Sequence, residues 1–259
     1  MFKVVNLCAE WQKSQDRQVF SNISFTVKEN SITALCGING IGKSTLLSLM
    51  AGIKPEGLRV FGKILLDNKN ILLQKPKENA RMISYLIQNE KCIWDISVRK
   101  LVETGRYVHQ KWYETVTSED EKIIDDAIYA MNLQNIQDKN VNTVSGGEFQ
   151  RARIARALAQ QTPYIFLDEP LASLDLRYQK DLISILNNLC KNGKTVFLSI
   201  HDINLAAACA QQIVMMKSNG SGILEGTPEE LITDRNLAEV FDCPLEIYRQ
   251  PITGKLQVW

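Results

Sequence analysis

The stretch Gly37-Ile38-Asn39-Gly40-Ile41-Gly42-Lys43-Ser44-Thr45 fits the pattern G-x-x-x-x-G-K-[ST] and constrains the fold of this chain more than any other feature. Before it, Ser31–Cys36 is a short, mostly apolar run that predicts a buried strand. After it, Thr45–Ala51 predicts a helix that Gly52 closes. A strand, a glycine turn and a helix start in that order make an anion site. Glycines let successive N–H groups turn inward, and the helix N-terminus adds partial positive charge. The glycines Gly37, Gly40 and Gly42, with Asn39 and Thr45, would cradle the phosphates of a nucleoside triphosphate. Lys43 would reach the β- and γ-phosphates, and the Ser44 hydroxyl would hold Mg²⁺.

The rest of the chain alternates strands with helices, which predicts a mostly parallel α/β sheet. Val4–Leu7 and Ile23–Val27 alternate apolar and polar residues and predict a small antiparallel sheet, joined by a polar linker at 12–17. Gly62–Asp67 predicts one more short strand, Lys75–Ala80 a turn, and Met82–Gln88 another strand. From about Ser97 to Ala159 the apolar period becomes helical. Val98, Leu101 and Val102 mark one face, and Ile123, Ile124, Ala127, Ile128 and Met131 a second, after the cap-like run Ser118–Glu121. A third helix starts near Gly147. Strands resume at Tyr164–Leu167 and Thr195–Ile200, with a helix bearing Leu182, Ile183, Leu186 and Leu189 between them. The helical stretch is therefore an insertion within the sheet.

Composition narrows the function classes. The chain has 259 residues, 45% hydrophobic and 23% charged, and a net charge of +1, so no overall field favours nucleic acid or an anionic membrane surface. No apolar run is long enough to span a bilayer, and the N-terminus lacks a signal-peptide core, so a cytoplasmic location is expected. The six cysteines show no C-x-x-C pair and predict buried, reduced thiols. The two histidines, His109 and His201, are too few for a histidine metal site.

Two further stretches carry chemistry. Tyr164–Leu167 runs into Asp168-Glu169-Pro170, an apolar strand ending in two carboxylates. Ligands of doubly wound sheets bind beyond the carboxyl ends of strands, so both acids would face the phosphate loop. Asp168 is assigned to the metal and Glu169 to the attacking water; an acidic surface turn is the competing reading. Val144–Arg151 contains Ser145-Gly146-Gly147, a second anion-binding helix start. One nucleotide does not need two cradles, so the second would complete the site of another copy, although a plain serine cap would also explain it.

Together these motifs resemble the nucleotide-binding subunit of ATP-binding-cassette (ABC) transporters along nearly the whole chain. Gly37–Thr45 is similar to the Walker A loop and Ile165–Glu169 to Walker B. Ser145–Glu148 resembles the family signature, with Val144 where leucine is usual. Gln88 matches the glutamine of the Q-loop, Ser173-Leu174-Asp175 the D-loop and His201 the switch histidine. Trp11 falls where the family places an aromatic on adenine, with core packing as its alternative. The resemblance implies a P-loop NTPase with a RecA-like parallel-sheet core, an N-terminal antiparallel β subdomain and an inserted helical subdomain. It implies one domain over 1–259, with 1–88 and 162–259 as the nucleotide-binding core and 89–161 as the insertion. Gln88 and His201 would join Glu169 in catalysis, Gln88 would also contact Mg²⁺, and Asp175 would join Ser145, Gly146 and Gly147 in binding nucleotide within a homodimer that sandwiches two ATP molecules.

A narrower resemblance links Ser97–Gln110, and the segments Glu225–Leu231 and Leu237–Phe241, to the ATPases of iron–siderophore, haem and cobalamin importers. Val108 replaces the usual proline there. It implies membrane permease subunits as partners, a substrate-binding protein met only indirectly, no nucleic acid, and a peripheral place on the cytoplasmic face of the membrane. His109 beside Arg106 is assigned to packing or subunit contact. A soluble, non-transport ABC protein acting on ribosomes or DNA is the alternative, but it would usually carry two cassettes or a long coiled-coil insertion. A small-molecule P-loop kinase would lack Val144–Arg151.

Overall fold

The computed structural model describes residues 1–12, 18–88, 90, 94–111, 115–243, 245–249 and 256–258; residues 13–17 of the linker expected at 12–17, Asn89 and Cys92 lie outside them. In chain order the strands are β1 (Phe2–Trp11), β2 (Gln18–Val27), β3 (Ile32–Cys36), β4 (Leu58–Leu66), β5 (Lys69–Asn70), β6 (Ile83–Leu86), β7 (Tyr164–Leu167), β8 (Thr195–Ser199), β9 (Gln212–Met216), β10 (Ile223–Gly226), β11 (Ile247–Arg249) and β12 (Leu256–Val258). The helices are α1 (Lys43–Met50), α2 (Pro76–Met82), α3 (Val98–Glu103), α4 (Ser118–Ala130), α5 (Gly146–Ala159), α6 (Leu176–Lys191), α7 (Ile203–Cys209), α8 (Pro228–Leu231) and α9 (Asp234–Phe241).

Two sheets make the framework. The larger has the order β10-β9-β3-β8-β7-β6; β9 to β6 run parallel, and β10 is an antiparallel edge. Its strands β3, β7, β8 and β9 are buried at every residue, as strands covered on both faces must be. The smaller sheet, β2-β1-β4-β5, is antiparallel and alternates buried and exposed residues over much of its length. It packs on the larger through aromatic rings: Phe2 meets Phe166 edge-on at 5.4 Å, and Phe25 stacks on Phe197 at 5.8 Å. Each such pair contributes about 0.5–1.5 kcal/mol beyond its burial. Helix α1 is enclosed in this same core through Leu46, Leu47, Leu49 and Met50, which fixes the phosphate loop at its N-terminus.

Between β6 and β7 the chain leaves the sheet. Helices α3, α4 and α5 pack on one another there through Val98, Leu101, Val102, Ile124, Ala127, Ile128, Ile154 and Ala155. Among the described residues no helix is long and apolar enough to cross a membrane.

Several sequence expectations shift. Lys75–Ala80 is not a turn but the start of α2, because Pro76 occupies a first-turn position where its missing N–H costs nothing. Strand β6 stops at Leu86, so Gln88 lies two residues beyond the strand instead of ending it. The cap of α4 is Thr117, not the run Ser118–Glu121: the Thr117 hydroxyl accepts from the Asp120 N–H, and the Asp120 carboxylate accepts from the Thr117 N–H. Cys36 and Cys190 are buried thiols, pushed by burial up to about 12 and about 11, but Cys243 is exposed and Cys8 half-buried.

Candidate functional site

The strand ends and the phosphate loop meet in an open cavity of about 410 Å³, walled by Asn39, Gly40, Gly42, Lys43, Ser44, Thr45, Gln88, Glu169 and His201. Strand β3 delivers the loop, and α1 starts at Lys43 with Gly42 as its cap in the left-handed region. Lys43 is 5% exposed and donates from Nζ to the carbonyls of Gly37 (2.9 Å) and Ile38 (3.0 Å), so the loop wraps around its own ammonium. Burial lowers the Lys43 pKa, while Glu169, Cys36 and Asp168 work to raise it. Ser44 Oγ lies 3.4 Å from the Gln88 side-chain oxygen, which brings loop and glutamine together despite 44 residues of separation.

Strand β7 sits between β6 and β8 and ends in the two acids. Asp168 is 2% exposed; its Oδ1 accepts from the Ser199 hydroxyl at 2.6 Å, and its Oδ2 is buried with no hydrogen-bond partner among the described residues. A buried carboxylate oxygen without a donor, together with the Ser44 hydroxyl and the Gln88 amide oxygen, is a set of hard oxygen ligands that fits Mg²⁺. Glu169 stands at φ 49°, an uncommon angle for a side chain other than glycine. Its N–H donates to the Ser199 hydroxyl at 2.8 Å, so one serine holds both acids, and its carboxylate contacts His201 Nε2. Ser199 was not singled out from the sequence. It closes a strand that Thr195 opens with another hydroxyl, so nothing local in the sequence ties it to Asp168.

The second cradle lies in a separate cavity of about 380 Å³, lined by Ser145, Gly147, Glu148, Arg151, Ser173, Leu174, Asp175 and Tyr178. Ser145 caps α5 in a reciprocal box with Glu148, and Asp175 caps α6 by accepting from the Tyr178 N–H at 3.0 Å. Arg151 stacks over the Tyr178 ring at 3.8 Å and ties these two helix starts together. Gly146 heads α5, where an added Cβ would meet nothing within 4 Å.

Not every expected residue converges on the phosphate cavity. Gly37 contributes its carbonyl to Lys43, and neither it nor Asp168, which Ser199 holds, is among the residues walling the cavity. Trp11 ends β1 opposite Leu58, is exposed, and does not line the cavity. His109 and Arg106 have structural partners: His109 Nε2 bonds the Gln160 carbonyl at 2.8 Å, and Arg106 pairs with Asp120 and the Ala159 carbonyl.

Known proteins resemble this chain in sequence and in fold. The sequence model of the ABC transporter family matches residues 20–172. The petrobactin import ATP-binding protein of Bacillus subtilis is 39% identical over 231 residues, which span 88% of this chain and 89% of that protein. Among solved structures, a metal-chelate type ABC transporter in an inward-facing conformation aligns with a TM-score of 0.78 at 25% identity, covering 99% of this chain and 95% of that one. A dimeric ATP-binding cassette in a post-hydrolysis state, bound to ADP and phosphate, aligns with a TM-score of 0.76 at 26% identity, covering 88% of this chain and 99% of the other.

Proposed function

The chain belongs to the ABC transporter family of ATPases, and from that premise we propose that it powers import of a metal chelate through a separate membrane permease. The observation that carries the reading is the convergence of Lys43, Ser44, Gln88, Glu169 and His201 on one cavity. The cargo class is supported by likeness to the petrobactin importer subunit and to the metal-chelate transporter. An iron–siderophore is favoured over haem or cobalamin. The chain would sit on the cytoplasmic face of the membrane against the permease, with residues 89–161 as the coupling subdomain and the remainder as the nucleotide-binding core.

In this mechanism the N–H groups of Asn39 to Thr45 and the Lys43 ammonium bind the phosphates of ATP and neutralise their charge. Ser44, Asp168 and Gln88 would hold Mg²⁺, which when bound offsets charge building on the phosphate oxygens. Glu169 orients water against the γ-phosphorus and accepts its proton as the new P–O bond forms and the bond to ADP breaks. His201 fixes the Glu169 carboxylate and can turn a ring nitrogen to the γ-phosphate. Ser145, Gly146 and Gly147 cap the γ-phosphate held by a second copy, with Asp175 beside them, so two copies enclose two nucleotides.

Two measurements test the reading. Lys43→Ala should lose ATP binding in a nucleotide titration while its circular dichroism stays unchanged; unaltered affinity would refute the phosphate-loop assignment. A strain lacking the gene, fed ferric siderophores, haem or cobalamin one at a time, should fail to grow on ferric siderophores alone. Normal uptake of all three would remove the importer reading.

A further inference from the structure

Three polar side chains of α5 reach both loops that carry the reacting groups. Arg153 is 5% exposed. It donates from Nε to Glu90 (3.2 Å), from Nη1 to the Gln150 side-chain oxygen (2.7 Å) and from Nη2 to the Ile87 carbonyl. Arg156 grips the same Glu90 with both terminal nitrogens, at 2.7 and 2.5 Å. Gln150, bonded to Arg153 on one side, donates to the Pro170 carbonyl at 3.2 Å on the other. Ile87 and Glu90 flank Gln88, and Pro170 follows Glu169 directly.

This arrangement is costly. Burial disfavours the charge on both Arg153 and Glu90, yet the two arginines outweigh it at Glu90 and hold that carboxylate below its ordinary range. Buried ion pairs seldom beat apolar packing as adhesive. Helix α5 already has apolar adhesive in Ala152, Ile154, Ala155 and Ala159, all fully buried. What the polar clamp adds is geometry: a planar fork with its hydrogen bonds fixed on two loops at once.

We propose that Arg153, acting through Gln150 and Glu90, is a positioning residue that sets Gln88 and Glu169 of its own subunit against the glycine-lined start of α5. Helix α5 is continuous from its Ser145 cap to Ala159, so a shift at its start is carried to Gln150 and Arg153 along a hydrogen-bonded rod. Capping the partner's nucleotide at one end of α5 and aligning the subunit's own water-activating groups then become one event. This deepens the shared-site reading given above and rests on it.

The test uses the full chain with three readouts: steady-state ATP hydrolysis, nucleotide affinity and thermal unfolding. Arg153→Lys keeps the charge and removes the fork; Gln150→Met is uncharged and near in volume, and it carries the test should Arg153→Lys fail to fold. Each should lower kcat by about tenfold or more while ATP affinity stays within about threefold, since an ångström of misplacement costs far more in rate than in ground-state binding. In a Gln88→Ala background the Arg153→Lys loss should shrink to about threefold or less, because the residue it positions is gone. Three results would overturn the proposal: kcat within about twofold of wild type in both variants, a loss that multiplies fully with Gln88→Ala, or a loss that follows ATP affinity. Absence of hydrolysis by the wild type, or full turnover by Glu169→Gln, would instead overturn the underlying reading of the site.

Discussion

The two glycine-lined helix starts look alike in sequence and differ in what their glycines are for. At α1 the chain itself demands glycine. Gly42 stands at φ 105°, and an added Cβ would sit 2.7 Å from the Val19 side chain and 3.0 Å from Phe20. At α5 the demand is weaker: among the described residues Gly146 has open space where a side chain would go, and a Cβ at Gly147 would press on the Ser173 carbonyl alone, at 3.3 Å. The first cradle is closed by its own chain, down to the ammonium of Lys43 wrapped by loop carbonyls. The second is open outward. A glycine that its own fold does not require points to close approach by something outside the fold, and in the function proposed here a second copy's γ-phosphate would be that group.

The largest expected effects test the division of labour between the cradles. Glu169→Gln keeps the shape of the side chain but cannot accept a proton, so hydrolysis should slow by about 10²–10⁴-fold with ATP binding retained. The same variant should accumulate an ATP-bound dimer, visible by size-exclusion chromatography with light scattering. Turnover near wild type would move the proton acceptor elsewhere, with His201 the next candidate. Adding Ser145→Arg should abolish that dimer while each monomer still binds ATP, because a bulky cation fills the approach to α5. An ATP-dependent dimer that survives Ser145→Arg would break the comparison outright.

Much of this site is legible because phosphate chemistry demands particular residue types at fixed spacing. Gly37–Thr45, Asp168, Glu169 and Ser145–Gly147 are recognisable without coordinates for that reason. The parallel sheet is legible because its buried strands are short, continuous apolar runs. What escapes the sequence is contact between distant segments. Nothing in the run Thr195–Ile200 says that Ser199 bonds Asp168 and the Glu169 N–H. Nothing local in α5 says that Arg153 closes on Ile87, which is 66 residues away. The α2 helix was hidden for a different reason: a proline in its first turn reads equally well as a turn.

A matched pair of glycine variants sharpens the contrast at smaller scale. Gly42→Ala should destabilise the protein by about 2–4 kcal/mol, from backbone strain and the overlap with Val19 and Phe20, and should impair ATP binding. Gly146→Ala should leave stability within about 0.5 kcal/mol, since its methyl group meets no atom of the subunit. It should still weaken ATP-dependent dimerisation by about tenfold, roughly 1.4 kcal/mol. Thermal melts and concentration-dependent light scattering separate the two. Equal loss of stability in both variants would remove the distinction between a glycine the fold needs and one the partner needs.

The last test asks whether the two cradles stand or fall together. Arg106 Nε bonds Asp120 at 2.7 Å and its Nη1 bonds the carbonyl of Ala159, the final residue of α5, so this pair anchors the far end of the second cradle's helix. Both side chains are under a tenth exposed, at 9% and 8%. Burial alone would raise the Asp120 carboxyl, but Arg106 and the Thr117 cap outweigh it and bring it from 3.8 down to about 2. A carboxyl with a lowered folded-state pKa contributes its full stability above the unfolded value. That contribution fades as pH falls from about 4 towards 2, and it amounts to roughly 2 kcal/mol. Acid in that window should therefore loosen α5 at its Ala159 end, and Asp120→Asn should reproduce the loosening at neutral pH. Native-state hydrogen exchange reads this by element: α5 amides should lose protection in Asp120→Asn while those of α1 and β3 keep theirs. If α1 and α5 lose protection in step, the cradles belong to one cooperative unit. In that case the openness of the second is a matter of surface geometry, not of independent stability.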